Sequence, residues 1–97
     1  MSKGYLVVCY REIRDKEKLK KYIELAPDAM VPRGANILVR GGRVAAFEDG
    51  LAERTVLVEF PSFEEALEAY NSSEYKAAVA ALGDGAVRDF RIVEGVN

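Results

Sequence analysis

The 97-residue sequence contains no histidine and only one cysteine, Cys9, and these absences exclude several kinds of chemistry. Without histidine, the chain cannot build a Ser-His-Asp triad, a histidine metal site or the usual near-neutral general base. A single cysteine cannot form an intramolecular disulfide or complete a zinc or iron–sulfur site. We therefore expect no metal and no cofactor, and the lone thiol is typical of a protein in the reducing cytoplasm.

Three further features are missing. The 14 basic and 16 acidic residues give a net charge of −2, so the chain lacks the basic field by which proteins neutralise nucleic-acid phosphates. No apolar run approaches the roughly 20 residues that span a bilayer. No Walker or Rossmann glycine pattern occurs. We expect neither nucleic acid nor membrane as a partner. The apolar N-terminal run leads directly into "REIRDKEK", which predicts a strand of the mature protein rather than a signal sequence.

The residues that are present indicate one globular domain, residues 1–97, with 49% hydrophobic and 31% charged residues. The apolar run at residues 4–11 predicts a strand that is buried on both faces. Asp15 can cap the following helix, whose apolar face recurs at helical spacing from Leu19 to Met30. Pro27 predicts either a kink in this helix or the start of a second short turn.

The second half begins with "ANILVRGGRVAAFEDG", which predicts a strand, a glycine pair and more strand. Gly41-Gly42 would form either a two-residue hairpin turn or a bulge within one long strand. Residues 54–60 predict the next strand. Ser62 and Glu65 form a capping box at the start of a helix that is interrupted at residues 71–73 and ends at Gly83. A last strand follows over residues 86–95.

The predicted order is β-α-β-β-α-β, which indicates an α+β, ferredoxin-like fold with an antiparallel sheet and both helices on one face. The first and third strands carry apolar residues on both sides. A small domain is not expected to leave such a surface in water. We therefore predict that two sheets pack face to face in a homodimer.

Several segments resemble the family known as domain of unknown function 1330. They are "KGYLVVCYREIRDKEKLKKYIELAPDA" (3–29), "ILVRGGRV" (37–44), "RTVLVEFPSFEEALEAYNSSEYKAA" (54–78) and "FRIVEGV" (90–96). The resemblance implies a dimeric α+β barrel, the architecture of cofactor-independent monooxygenases, muconolactone-isomerase-like proteins and haem-degrading enzymes. It implies no activity. Where that family often has Trp and Pro, this chain has Ala69 and Ser73, and the first of these differences leaves a smaller wall near Tyr70.

Two positions near the helix break and one strand end are candidate ligand contacts. Asn71 and Ser72 can simply join and cap two helical segments. Alternatively, Asn71 and Tyr75 point into a pocket between helix and sheet and orient a small polar ligand. Arg40 can clamp a carboxylate or enolate, or it can be an exposed or interface arginine at a bulge.

Glu59 and Tyr75 are the candidate proton-transfer residues. If Glu59 points inward, it must pair with a cation such as Arg40 or Arg91, or act as a general base with a raised pKa. Tyr22 is expected in the core with a hydroxyl that needs a partner, and it is a further candidate ligand contact. Cys9 is expected to be a buried, inert thiol.

Three functions are consistent with these residues. The first is binding of a small acidic or aromatic molecule in a pocket between sheet and helices. The second is a cofactor-independent monooxygenase or isomerase, in which Arg40 steadies an oxyanion and Glu59 or Tyr75 moves the proton. The third is a structural or regulatory dimerisation module. A fully packed interior between helices and sheet would exclude the first two.

Overall fold

The computed structural model describes residues 2–97, which form a four-stranded antiparallel sheet with three α-helices on one face. The strands are β1 (Gly4–Ile13), β2 (Asn36–Arg40), β3 (Thr55–Phe60) and β4 (Ala86–Glu94), and the helices are α1 (Lys16–Met30), α2 (Phe63–Asn71) and α3 (Ser73–Leu82). The strand order across the sheet is β2-β3-β1-β4. This confirms the predicted α+β, ferredoxin-like architecture.

The helices begin and end where local side chains satisfy their backbone. The Asp15 carboxylate accepts hydrogen bonds from the backbone N–H groups of Glu17 and Lys18, which confirms its predicted capping role. α1 continues through Pro27 to Met30, and a single 3₁₀ turn follows at Val31–Arg33. No helix within residues 2–97 is both long and apolar enough to cross a bilayer.

Alternation along the strands gives the sheet two different faces. From Gly4 to Tyr10, the even-numbered residues of β1 face the helices, and the odd-numbered residues face away from them. The helix-facing side is continuous with the buried core, whose largest fully buried side chains are Tyr75, Phe60 and Leu6. The side turned away from the helices, which we call the open face, is uncovered within one chain.

The segment between β2 and β3 differs from the prediction. β2 ends at Arg40, and residues 41–54 contain no strand, so Gly41-Gly42 forms neither a hairpin turn nor a bulge in a long strand. The reason is that β3 begins at Thr55, whose carbonyl accepts the last ladder hydrogen bond from the Gly41 N–H. The residues after Gly41 therefore have no partner strand within residues 2–97. This loop leaves Phe47 77% exposed. An irregularity in the β2–β3 pairing does occur, but between Ile37 and Val39.

Candidate functional site

A cavity of about 70 Å³ lies between α1 and the helix-facing side of the sheet, so the interior is not fully packed. Its apolar wall comes from both layers and consists of Leu6, Val8, Ile23, Ala26, Pro27, Met30, Ile37, Val56 and Val58. Its polar wall consists of Tyr10, Tyr22, Arg40, Arg54 and Arg88. The lining therefore contains three arginines and no carboxylate.

Sheet register places the charged groups at one end of this cavity. Tyr10 is paired with Arg88 of β4, and its N–H bonds to the carbonyl of Arg54, so these three residues form one row across the sheet. Arg40 is in the next row, opposite Val56. The following row is apolar, with Leu6 paired to Val58 and Val58 to Ile37. The cavity thus has a cationic end and an apolar end.

The two arginines beside Tyr10 are held by aromatic rings rather than by acids. The guanidinium carbons of Arg54 and Arg88 lie 5.8 and 5.7 Å from the centroid of the Tyr10 ring. Arg88 also lies 4.7 Å from the ring centroid of Tyr22. Cation–π contacts of this kind stabilise a guanidinium by about 0.5–2 kcal/mol. This is less than the free energy that a charged group loses when it is removed from water.

These arginines have unused hydrogen-bonding capacity. Arg54 Nε and Arg88 Nη1 are buried and have no hydrogen-bond partner in the protein. Within residues 2–97, no salt bridge involves Arg40, Arg54 or Arg88. Burial acts to lower the pKa of Arg88, but the nearby phenols of Tyr22 and Tyr75 outweigh it and the pKa is raised. The group is therefore a permanent cation with an unpaired buried donor, which is costly without an acceptor.

Gly41 sets the position of Arg54. It has φ +66°, and a Cβ at this position would lie 2.5 Å from Arg54 Nη1. The adjacent Gly42 has no atom within 4 Å of its Cβ position. Only glycine satisfies both the left-handed backbone and the close approach at position 41.

Gly41→Ala should lower the free energy of unfolding by about 1–2 kcal/mol, because alanine is strained at this φ and must displace the Arg54 guanidinium. Gly42→Ala should stay within about 0.5 kcal/mol of the wild type. Urea unfolding at a fixed protein concentration measures both. Equal stabilities of the two variants would contradict this account of Gly41.

Tyr22 and Tyr75 meet behind the cavity. Their hydroxyl oxygens are 2.6 Å apart and both residues are buried, which gives Tyr22 the partner it was predicted to need. Of the two, only Tyr22 lines the cavity. Burial, reinforced by Tyr22, raises the pKa of Tyr75 above its usual range. The Tyr75 phenol is therefore held neutral in a structural hydrogen bond.

The helix break has the capping geometry. The buried Ser72 hydroxyl accepts a hydrogen bond from the Tyr75 N–H at 3.1 Å and donates one to the Ala69 carbonyl at 2.7 Å. Asn71 is exposed, and neither Asn71 nor Ser72 lines the cavity. The polar residues at this break thus connect α2 to α3, and the structure separates them from Arg40.

Glu59 lies on the open face, on the opposite side of the sheet from the cavity. Its carboxylate pairs with Lys3 at 3.2 Å and accepts a hydrogen bond from the Tyr5 hydroxyl at 3.1 Å, rather than pairing with Arg40 or Arg91. The Lys3 ammonium lowers the pKa of Glu59. The structure therefore does not bring Glu59 together with Tyr75, which packs on the helix side.

The open face combines an apolar centre with a charged border. Val39, Leu57 and Val7 occupy adjacent positions on β2, β3 and β1. Along one border, Asp89 pairs with Arg91 at 2.9 Å and with Arg11 at 3.4 Å.

Cys9 also lies on the open face. The prediction that it is buried is wrong for the single chain, because odd-numbered residues of β1 point away from the helices and Cys9 is exposed.

Sequence reasoning identified Arg40 and Tyr22 but missed Tyr10, Arg54 and Arg88 as cavity residues. The available signal was alternation, since Arg88, Phe90 and Ile92 share one face of β4. This signal does not tell which arginine faces the core. The register across three strands decides that.

Solved structures with this fold include several proteins of low sequence identity. RPA0582, a protein of unknown function from Rhodopseudomonas palustris, has a TM-score of 0.74 at 17% identity, over 96% of this chain and 80% of its own. A Caulobacter crescentus CB15 protein provisionally named an antibiotic biosynthesis monooxygenase has a TM-score of 0.65 at 20% identity, over 99% and 91%. A dimeric ferredoxin-like protein of unknown function from Thermobifida fusca YX has a TM-score of 0.59 at 13% identity, over 99% and 92%.

These identities establish a common fold and nothing finer. No curated protein matches the sequence. A family model does match, over residues 3–96, which is nearly the whole chain. The chain therefore belongs to the family described as domain of unknown function (DUF1330).

Proposed function

We propose that this protein binds a small anionic molecule in the cavity between α1 and the sheet. The observation that carries the proposal is the cluster of three arginines facing an apolar cavity without any carboxylate, with buried N–H groups of Arg54 and Arg88 unpaired. A carboxylate would accept hydrogen bonds from these groups and neutralise part of their charge. An apolar cavity with a few convergent polar groups is typical of ligand sites.

The geometry favours binding over catalysis. Arg40, Arg54 and Arg88 could stabilise an oxyanion, as the monooxygenase or isomerase hypothesis requires. Proton transfer needs a second group at the same place. Glu59 is across the sheet, and Tyr75 is a neutral phenol hydrogen-bonded to Tyr22. Neither residue lines the cavity.

We further propose that the working unit is a homodimer formed through the open face. The apolar centre at Val7, Val39 and Leu57, bordered by charged pairs, has the composition of a protein–protein interface. The dimeric description of the Thermobifida fusca structure supports this arrangement. Dimerisation, which the third hypothesis treats as the whole function of the protein, is then one part of that function. The free thiol of Cys9 is consistent with a cytoplasmic location.

The ligand proposal is tested with matched acids and amides. Propionate and benzoate should raise the melting temperature in a saturable way, whereas propionamide and benzamide at equal ionic strength should not. Only the acids carry the negative charge that can pair with the arginines. Arg88→Met should remove the effect, whereas Arg43→Met, in the exposed loop, should retain it. Equal shifts from acids and amides, or no shift from either acid, would contradict the proposal.

A further inference from the structure

Residues 43–52, between β2 and β3, form an exposed segment that we call the arm. Every residue from 41 to 52 is exposed, and within residues 2–97 the backbone of residues 42–46 forms no hydrogen bond. The arm nevertheless carries apolar side chains, since Phe47 is 77% and Leu51 51% exposed. Its tip is a closed turn, in which the Gly50 N–H donates a hydrogen bond to the Phe47 carbonyl at 2.9 Å. The segment "RVAAF" therefore has the composition of a strand but no strand to pair with.

The opposite edge of the sheet has the complementary feature. β4 is a nine-residue edge strand without proline, and the irregularity in its pairing lies on β1. The Gly95 N–H bonds to the Lys3 carbonyl, and hydrogen-bonded pairs alternate along an antiparallel ladder. The backbone N–H and C=O groups of Phe90, Ile92 and Glu94 therefore point outward from the sheet. An unpaired edge of this length is a template for another strand.

A two-fold axis that runs along the strands brings these two features together. In the dimer proposed above, this axis places β2 of one subunit over β4 of its partner, because β2 and β4 are the opposite edges of the sheet. The two strands then run antiparallel. Packed sheets lie about 10 Å apart, a distance that about three extended residues span. The chain leaves the β2–β3 ladder at Gly41, whose φ is +66°, so residues 44–47 can reach the β4 edge of the partner subunit.

We infer that residues 44–47 of each subunit pair as a short antiparallel strand with β4 of the partner subunit. This inference rests on the proposed homodimer and adds a second contact to it. The four strands together contain 30 residues, and alternation turns about 15 of them toward the open face. A stable interface takes about 20–30 residues from each subunit, and the arm supplies the difference. A second copy of the chain carries both the unpaired segment and the unpaired edge.

Proline substitution tests the pairing, because proline removes the N–H group that a ladder needs. In the double variant Ala45→Pro, Ala46→Pro, one of the two adjacent N–H groups that are lost points toward the partner strand, and neither forms a hydrogen bond within residues 2–97. Ala52→Pro is the matched control, since Ala52 is exposed, follows the turn and has no backbone hydrogen bond at its N–H. Sedimentation over a dilution series should show a dimer Kd raised about tenfold in the double variant and changed by less than about twofold in the control.

Hydrogen exchange of the intact protein, followed residue by residue by NMR, locates the contact. The comparison is Leu57→Asp, which places a charge at the centre of the open face and should be monomeric. In the wild-type dimer, the amides of residues 44–47 and the outward amides of Phe90, Ile92 and Glu94 should exchange about tenfold more slowly than in this variant. The Ala52 amide should exchange at the same rate in both proteins.

The outcomes separate the arm contact from the dimer on which it depends. If the wild type dimerises but residues 44–47 exchange equally fast in both proteins, the arm is not paired, whereas the dimer through the open face stands. Protection of the β4 edge alone, or a double proline variant that dimerises as tightly as Ala52→Pro, would also overturn the inference. A wild type that stays monomeric throughout the dilution series would contradict the proposed dimer itself.

Discussion

Replacing Tyr75 with alanine is expected to lower the free energy of unfolding by about 3–5 kcal/mol, a large part of the roughly 5–15 kcal/mol available to a domain of this size. The side chain is 0% exposed. Its ring centroid lies 5.2 Å from that of Tyr70 and 6.1 Å from that of Phe90, and its hydroxyl bonds to Tyr22. Alanine would leave a cavity inside this aromatic cluster and an unpaired hydroxyl on Tyr22.

Two further variants divide and calibrate this cost: Tyr75→Phe separates the ring of Tyr75 from its hydroxyl, and Tyr70→Ala is the comparison at a less buried tyrosine. Tyr75→Phe keeps the ring and should cost about 1–2 kcal/mol, because the Tyr22 hydroxyl loses its buried partner. Tyr70→Ala removes a neighbouring ring that is 40% exposed, and should cost less than Tyr75→Ala. Chemical unfolding at one protein concentration measures all three, since the proposed dimerisation would make apparent stability depend on concentration. A Tyr75→Ala cost no larger than that of Tyr70→Ala would contradict this description of the core.

The second large effect is expected at the open face. Leu57→Asp places a carboxylate at the centre of the proposed interface, beside Val7 and Val39, where it would be buried without a partner in the dimer. The variant should therefore sediment as a folded monomer of 10.7 kDa, while the wild type sediments at twice that mass.

The control is Leu25→Asp, which introduces the same charge at an exposed leucine of α1. This variant should remain dimeric. Sedimentation velocity at micromolar concentration, with circular dichroism to confirm folding, distinguishes the two variants. A monomeric wild type, or a Leu57→Asp protein that stays dimeric, would show that the open face is not the interface.

The elements of the fold could be predicted because their signals are local. Asp15 and Ser62 accept hydrogen bonds from backbone N–H groups in the first turns of α1 and α2, as capping residues do. The Asn-Ser-Ser interruption likewise has a local cause, because Ser72 ends α2 and begins α3. Such interactions join residues two or three apart and are visible in the sequence.

The site depended on relations that are not local. Glu59 is on the open face because odd-numbered residues of β3 point away from the helices, and its actual partner, Lys3, is 56 residues away. Arg54 and Arg88 come together only because β3 and β4 both pair with β1 around Tyr10. The part of "ANILVRGGRVAAFEDG" that follows the glycine pair predicts a strand from its composition, but no strand within residues 2–97 is placed to pair with it.

An NMR titration of the arginine Nε–H groups with butyrate tests most directly whether the half-buried Arg54 and Arg88 form an anion site. The Arg54 and Arg88 signals should show saturable shifts, because the guanidinium groups of these residues line the cavity and each has an N–H donor without a partner. Arg11 and Arg91, on the open face and already paired with Asp89, should not change. If all four signals shift together in proportion to salt, or Arg54 and Arg88 do not respond, the cavity is not an anion-binding site.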